Sequence, residues 1–570
     1  MYRGGNALLE ALAEAGVRYI FANFGSDHPA LIEAIAEAKV TGGKLPEVLT
    51  CPNEMVALSG AHGFAQVSGR AQAVIVHVDC GTQALAGAVH NAAKGRIPVQ
   101  IFAGLSPFSQ EGELRGSRNE FIQWIQDVPD QAGIVRQYMK YENELRTAKN
   151  VKQIVRRAMQ IAESDPRGPV YLTAAREVLE EELETEETAK SEWPALGAIP
   201  LADSAIEMIV GGLARVKRPL VVTSYVGRNV RAVAELTKFC RGLGIGVLES
   251  VPSAMNFSCD DQLYLGNYWN QPFQNQDLAD ADAILVIDSD VPWIPTINRP
   301  RESATIYHID VDPLKERTPL WAINARGVFR ADAESALRQM NAWVERNGPD
   351  TRPTEERRAY YRERHSARAK RLEEEARGES DAISPEFLTA EVRKQIGDDA
   401  IVLNEGITNY PAICDHSGRT KPGTMFASGG GSLGWNGGAA IGAKLAAPEK
   451  TVVALTGDGS YLFSIPASVH WMARRYGTPF LQVVYNNGGW KAPRFSTLAV
   501  HPDGYASRAK DIGVSFDPAP DYAGIAAAAG GALGISVSKP DEVENAIAAG
   551  LKAVRKDRRC AVLDVRLKHL

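Results

Sequence analysis

Leu455-Thr-Gly457-Asp458-Gly459-Ser460 and, one helix and one strand later, Val484-Tyr485-Asn486-Asn487-Gly488-Gly489 are the stretches on which the reading of this chain turns. Each puts a glycine-rich turn directly behind a short apolar run, the pattern of a buried parallel strand feeding a loop. Glycines there let backbone amides approach an anion, and the N-terminus of a following helix adds a favourable dipole and free N–H groups. Asp458 at one strand end and Asn487 at the next supply hard oxygen ligands of the kind octahedral magnesium takes. Taken singly, each junction is also ordinary turn chemistry, because Gly, Asp and Asn favour turns.

Outward from these stretches the same alternation continues. Ile401–Leu403, Val452–Leu455, Phe480–Tyr485 and Ala561–Val565 read as strands separated by helical patterns. Toward the N-terminus, Tyr19–Ala22, Ala73–Val78, Val99–Ala103 and Val170–Thr173 form a second such set, and Pro219–Thr223, Ala283–Asp288 and Ala304–Asp312 a third. Continuous apolar strands alternating with helices predict α/β architecture with mainly parallel sheets, doubly wound, in three domains: 1–180, 195–345 and 380–570. The acidic run Glu180–Glu187 is expected to be a solvated linker, and the charged stretch Arg346–Arg377 a surface helix followed by a linker.

The bulk numbers agree. A chain of 570 residues exceeds what one hydrophobic core supports, and 45% apolar with 23% charged residues is ordinary globular composition. A net charge of -6 gives no positive field for nucleic acid or anionic membrane, leaving small-molecule chemistry as the expectation. Six cysteines without CxxC spacing indicate neither a zinc site nor a disulfide framework, which suits a reducing cytoplasm. The chain passes directly into the amphipathic helix at Asn6–Gly16, so no signal peptide is expected, and it has no apolar run long enough to span a bilayer.

The two glycine turns together resemble the GDG…NN signature of thiamine-diphosphate enzymes, although the interval from Ser460 to Tyr485 is slightly longer than that family usually shows. The resemblance covers essentially the whole chain, in the domain order of acetolactate synthases and benzoylformate decarboxylases. It implies a pyrimidine-binding N-terminal domain, a central domain and a diphosphate-binding C-terminal domain. Asp458, Asn487 and the Gly489 carbonyl are then the Mg2+ ligands, with Gly457, Gly459 and Ser460 around the diphosphate. Glu405-Gly406-Ile-Thr408-Asn409 matches the segment that completes that site, making Gly406, Thr408 and Asn409 cofactor-binding candidates; Thr408 also reads as a helix N-cap. Ser428–Gly442 resembles the glycine-rich segment whose large apolar residue, here Leu433, bends the cofactor.

In Cys51–Ala65 a glutamate opens an otherwise apolar helix. A carboxylate facing that surface has a raised pKa suited to hydrogen-bonding a ring nitrogen, while a first-turn Glu also serves as a dipole partner. By the resemblance Glu54 is the catalytic glutamate that pairs with the aminopyrimidine. Ser26 and His77 line up with the catalytic serine and histidine of benzoylformate decarboxylase; His28 is a neighbouring candidate without a family counterpart. Of Gln123 and Gln126, the second better fits the substrate-site glutamine of acetolactate synthases.

Pro493 stands where pyruvate decarboxylases carry a proton-handling glutamate, which argues against simple acetaldehyde release, and Trp490, Lys491 and Arg494 are left to shape an acceptor or carboxylate pocket. The central domain lacks the Gly-Met-rich segment that accompanies FAD, so FAD is not expected. The expectation is an enzyme of 2-oxo acids, an acetolactate synthase-like carboligase or a decarboxylase. Lyase chemistry on 2-hydroxy ketones or 2-hydroxyacyl-CoA, and a non-catalytic cofactor-binding paralogue, are the alternatives. The resemblance further implies a homo-oligomer, with Glu54 of one subunit facing Asp458 of another.

Overall fold

The computed structural model describes residues 2–568 apart from 185–192, 270, 349, 380 and 510. Three six-stranded parallel sheets carry the chain, as the alternation predicts. The first runs in the order Glu47–Thr50, Tyr19–Ala22, Gln72–Val76, Val99–Leu105, Pro169–Ala175, Tyr141–Leu145. The third, Met425–Phe426, Ile401–Glu405, Val452–Gly457, Leu481–Asn486, Ala561–Arg566, Leu533–Val537, is wound identically. The central sheet, Gly327–Arg330, Thr305–Asp310, Ala283–Ile287, Pro219–Thr223, Gly246–Glu249, Tyr264–Asn267, has its own order and a separate core.

One hydrophobic core crosses from the N-terminal to the C-terminal domain. Its centre is a seam between helix Glu54–Ser68 and helix Trp435–Ala446, both buried almost all round. Small residues make the seam possible. A Cβ on Gly442 would lie 1.9 Å from the Gly60 carbonyl oxygen, and one on Gly63 2.2 Å from that of Ala439. The backbones therefore touch directly, and close packing of this kind tolerates no added methylene.

Charged contacts attach the central domain. Arg96 of the N-terminal domain reaches Asp290 at 3.1 Å and Asp310 at 3.3 Å, where Lys315 and Tyr225 also bond Asp310. Arg228 returns the favour toward Asp165 at 2.8 Å. In the charged stretch Arg346–Arg377, expected as a surface helix, the end of helix Ala333–Asn347 is followed by helix Thr351–Glu375. The second is more than a surface element. Tyr361 is buried with its hydroxyl on the Pro219 carbonyl (2.6 Å), and Arg368 and Glu375 meet Asp415 and His416 of the C-terminal domain. Its few buried residues are interspersed among many charged ones, which is why composition alone suggested a surface helix. The acidic run expected as a linker starts inside helix Arg176–Glu180, and its part from 185 lies outside the described residues. No described helix is long and apolar enough to cross a membrane.

Enlarging the seam should be costly. Gly442→Val is expected to lower stability by about 1–3 kcal/mol or more, whereas Gly211→Ala, in helix Asp203–Ala214 with nothing closer than 3.9 Å to the new Cβ, should raise it slightly. Urea-denaturation midpoints of the two variants, moving in opposite directions, check this.

Candidate functional site

In the C-terminal domain, three adjacent strands end side by side: Glu405 is level with Thr456, and Gly457 with Tyr485. The loops beyond them hold the glycine turns. Asp458 opens helix Asp458–Phe463 and is 2% exposed. Its Oδ1 accepts from the Gly459 N–H (2.8 Å) and its Oδ2 from those of Gly488 (2.8 Å) and Gly489 (2.9 Å), so the carboxylate stitches the two turns together. Burial raises its pKa, and the three N–H donors pull the other way. A carboxylate has about four acceptor positions, so Oδ1 keeps capacity for a cation.

Asn487 donates to the Thr408 hydroxyl at 3.2 Å, which ties the second turn to the segment after Glu405. Its Oδ1, the Ser460 hydroxyl and the Asn409 side-chain amide are buried without a partner. An unpaired buried polar atom costs roughly 1–3 kcal/mol, so three around one set of strand ends mark a place prepared for a polar ligand. Gly406 accompanies them at the strand end, its N–H on the Asn404 side chain (3.1 Å). Leu433 is half-buried in the loop before helix Trp435–Ala446. Asn91 of the N-terminal domain grips its neighbour Ser432 through two hydrogen bonds (2.9 and 3.0 Å), and Glu405 grips Gly434 on the other side (2.7 Å), so the wedge position is fixed from both flanks.

The N-terminal domain carries a second cluster at the equivalent strand ends. Asn53 caps helix Glu54–Ser68 by accepting from Met55 and Val56. Glu54 follows, 9% exposed, with Oε1 accepting from the Asn23 amide at 2.9 Å. Burial raises its pKa. His77 lies between Asp27, 2.5 Å from its Nδ1, and the Gln126 amide oxygen, 3.1 Å from its Nε2. The Ser26 hydroxyl is buried without a partner. His28 is completely buried, its Nδ1 accepting from the Gly25 N–H (3.0 Å) and its ring packed edge-on against Phe24, which places it beneath the loop. Gln123 accepts from the backbone N–H groups of Asn119 and Glu120 and so braces its own loop, leaving Gln126 as the glutamine that touches His77. Trp490 packs so tightly on Gly459 that a Cβ there would lie 2.3 Å from the indole.

Three residues of these clusters escaped the sequence reading: Glu405, Asn23 and Asp27. Glu405 takes the N–H groups of Gly434, Trp435 and Asn436, closing the N-terminus of helix Trp435–Ala446, and burial pushes its carboxyl up to about 7. All three stand at or just beyond the end of an apolar run, the one signal that marks them.

These features define a class: three-domain α/β proteins with an anion-and-cation cradle behind one parallel sheet and a titratable cluster behind another. Comparison with known proteins places the chain within it. Family models described as the thiamine pyrophosphate enzyme N-terminal TPP binding domain, central domain and C-terminal TPP binding domain match residues 2–134, 206–320 and 406–565. The acetolactate synthase of Bacillus subtilis (strain 168) is 24% identical over 97% of this chain and 91% of its own length. The sulfoacetaldehyde acetyltransferase of Castellaniella defragrans is 24% identical over 98% and 92%. Among solved structures, the 4-hydroxybenzoylformate decarboxylase of Rhodococcus jostii RHA1 superimposes with a TM-score of 0.81 at 22% identity, over 100% of both chains. The chain belongs to the thiamine-diphosphate-dependent enzymes, in the group that holds acetolactate synthases and benzoylformate decarboxylases.

The residues fit that cofactor. The orphaned Ser460 hydroxyl and Asn409 amide are donors, as a diphosphate requires, and the orphaned Asn487 oxygen beside Asp458 is an acceptor, as a divalent cation requires. Asp458→Ala is expected to remove detectable uptake of thiamine diphosphate with Mg2+ in calorimetry, and Asn487→Ala to weaken it. Wild-type affinity in Asp458→Ala would refute the cradle.

Proposed function

We propose that this chain is an enzyme acting on 2-oxo acids with thiamine diphosphate and Mg2+, as an acetolactate synthase-like carboligase or a decarboxylase. The observation that carries this reading is the presence in one chain of the Asp458–Asn487 cradle and of Glu54, a buried carboxylate with an increased hold on its proton. When bound, the cofactor supplies the electron sink for cleaving or forming a bond next to a carbonyl; the protein supplies orientation and proton control.

Asp458, Asn487 and the Gly489 carbonyl hold the cation, with Ser460, Asn409, Thr408 and the amides of the glycine turns around the diphosphate. Leu433 would pack against the cofactor's ring system. Glu54, with Oε1 held by Asn23, has Oε2 left over and would exchange a proton there with the aminopyrimidine nitrogen. His77, Ser26 and Gln126 face the substrate, and Lys491 with Arg494 at the start of helix Lys491–Val500 provides positive charge for a carboxylate. Pro493, exposed on that helix, offers no proton, which favours transfer to a second carbonyl compound over simple aldehyde release. In this reading 1–180 binds the pyrimidine, 380–570 the diphosphate, and 195–345 braces both.

The working unit in this proposal is at least a dimer, with each site formed between the N-terminal domain of one subunit and the C-terminal domain of another. Glu54 and Asp458 share no hydrogen bond or ion pair among the described residues. Large apolar side chains stand exposed beside both clusters, Phe121, Trp124 and Ile125 near Gln126, and Phe495, Val500 and Tyr505 beyond Asn487. Exposed apolar patches of that kind mark interaction surfaces. Six unpaired cysteines suit a reducing cytoplasm.

Incubation with a panel of 2-oxo acids and acyloins, read by mass spectrometry, tests the reaction: loss of CO2 with or without a joined product is expected, and cleavage of acyloins alone would turn the reading to a lyase. Glu54→Gln should leave diphosphate affinity near wild type while slowing exchange of the cofactor's thiazolium C2 proton, followed by NMR, by about 10²–10⁴-fold. Unchanged exchange would remove Glu54 from its role.

A further inference from the structure

The Asp27–His77 pair is more elaborately built than a histidine at a strand end needs. Asp27 is 2% exposed, and both its oxygens are engaged: Oδ1 with His77 Nδ1 at 2.5 Å and Oδ2 with the Val78 N–H at 3.2 Å. Two glycines make room for it. A Cβ on Gly104 would fall 1.8 Å from Asp27 Oδ2, and one on Gly25 1.9 Å from His77 Nδ1. The residue that carries the ring into its loop, Val78, has φ +27°, a conformation that costs a β-branched residue about 1–3 kcal/mol. Strain and missing side chains are thus concentrated on holding one imidazole in one orientation.

Both ring nitrogens of His77 face oxygen acceptors, the Asp27 carboxylate and the Gln126 amide oxygen. A neutral imidazole has one N–H; only the imidazolium has a hydrogen for each of the two. The charged surroundings act the same way. Burial lowers the pKa of His77, but the hydrogen bond and charge of Asp27, the Gln126 contact and the charge of Asp79 outweigh it and raise the pKa. His28, the other neighbour of Asp27, is completely buried, which lowers its own pKa.

We propose that Asp27 is a positioning residue that holds His77 through Nδ1–H, favours its protonated form, and so presents Nε2–H to the substrate as a proton donor. The Nε2 proton passes to an oxygen of the bound carbonyl compound, leaving a neutral ring still tied to Asp27 by Nδ1–H, and water restores it. The inference rests on the reading of His77 as a substrate-facing group. Its sign in pH is fixed: a histidine with a raised pKa is cationic below that value, so donor function is lost as pH rises through it.

The test uses the full chain labelled with 13C at histidine Cε1, free of cofactor and substrate, with the His77 resonance assigned as the one missing from His77→Gln. The wild-type midpoint should lie above the ordinary value of about 6.5. Asp27→Asn should lower it by about one unit or more, close to a tenfold change in proton affinity. Gly104→Ala, which keeps the carboxylate but displaces it, should lower it too, and carries the test if Asp27→Asn does not fold. In turnover, Asp27→Asn should move the alkaline limb of kcat/KM to lower pH by the same amount while lowering kcat more than it alters KM. A wild-type midpoint at or below the ordinary value, or a midpoint unmoved in a folded variant, overturns the proposal. A moved midpoint in a protein that turns over no 2-oxo acid would keep Asp27's hold on His77 and refute the proposed reaction instead.

Discussion

Direct backbone contact between helix Glu54–Ser68 and helix Trp435–Ala446 is the constraint on which the rest of the molecule hangs. With Gly60, Gly63, Gly438 and Gly442 at the crossing, neither helix can rotate or slide without driving a carbonyl into its neighbour. That rigidity passes straight to the chemistry, because Glu54 is the first residue of one helix and the backbone N–H groups held by Glu405 open the other. Leu433 sits one residue before that second opening, clamped from the N-terminal domain by Asn91 through its neighbour. A site that needs its groups within a fraction of an ångström is best built on elements that packing has already immobilised.

The buried acids show how one environment yields different behaviours. Asp458 and Glu405 each face three backbone N–H groups, yet burial dominates and both are shifted upward, Glu405 to about 7. Asp27 is just as deeply buried and is shifted downward, because the imidazoles of His28 and His77 outweigh burial, with the Val78 amide adding to them. Glu54 has a single side-chain donor and is shifted upward. Partial charges on fixed amides orient a carboxylate without neutralising it, whereas a neighbouring cation settles its charge. The C-terminal cluster is accordingly rich in fixed dipoles and the N-terminal cluster in exchangeable protons.

Much of this was legible beforehand. The strands found from apolar runs, such as Ala283–Ile287 and Val452–Gly457, are interior strands buried on both faces, and their hydrophobicity announces them. Edge strands were not found. Gly327–Arg330 and Leu533–Val537 expose alternate residues, Tyr141–Leu145 buries only Leu145 fully, and Met425–Phe426 is only two residues long, so composition hides them among loops. Interior Gly246–Glu249 was missed as well. At the site, motif-bearing residues such as Asp458 and Asn487 could be read from spacing. Asp27, Asn23 and Glu405 could not, since what distinguishes them is which backbone or ring lies opposite, and only the folded chain brings those together. The glycines at 25 and 104 are similar: each looks like a turn residue until the side chain that fills its missing volume is seen.

The identical winding of the first and third sheets gives the seam an unusual character. Equivalent helices, each following the edge strand of its own sheet, meet small residue to small residue, as the two copies in a two-fold symmetric dimer do. The polypeptide is in effect a dimer of itself, its two protomers fused through the central domain. Duplication supplies such an arrangement at once, because a surface that fits its own copy still fits a twin whose loops have begun to drift. Differences in the loops alone then suffice for a division of labour: in the present chain one half carries the glycine turns with Asp458 and Asn487, and the other carries His77 with Asp27 and Glu54, on the same winding.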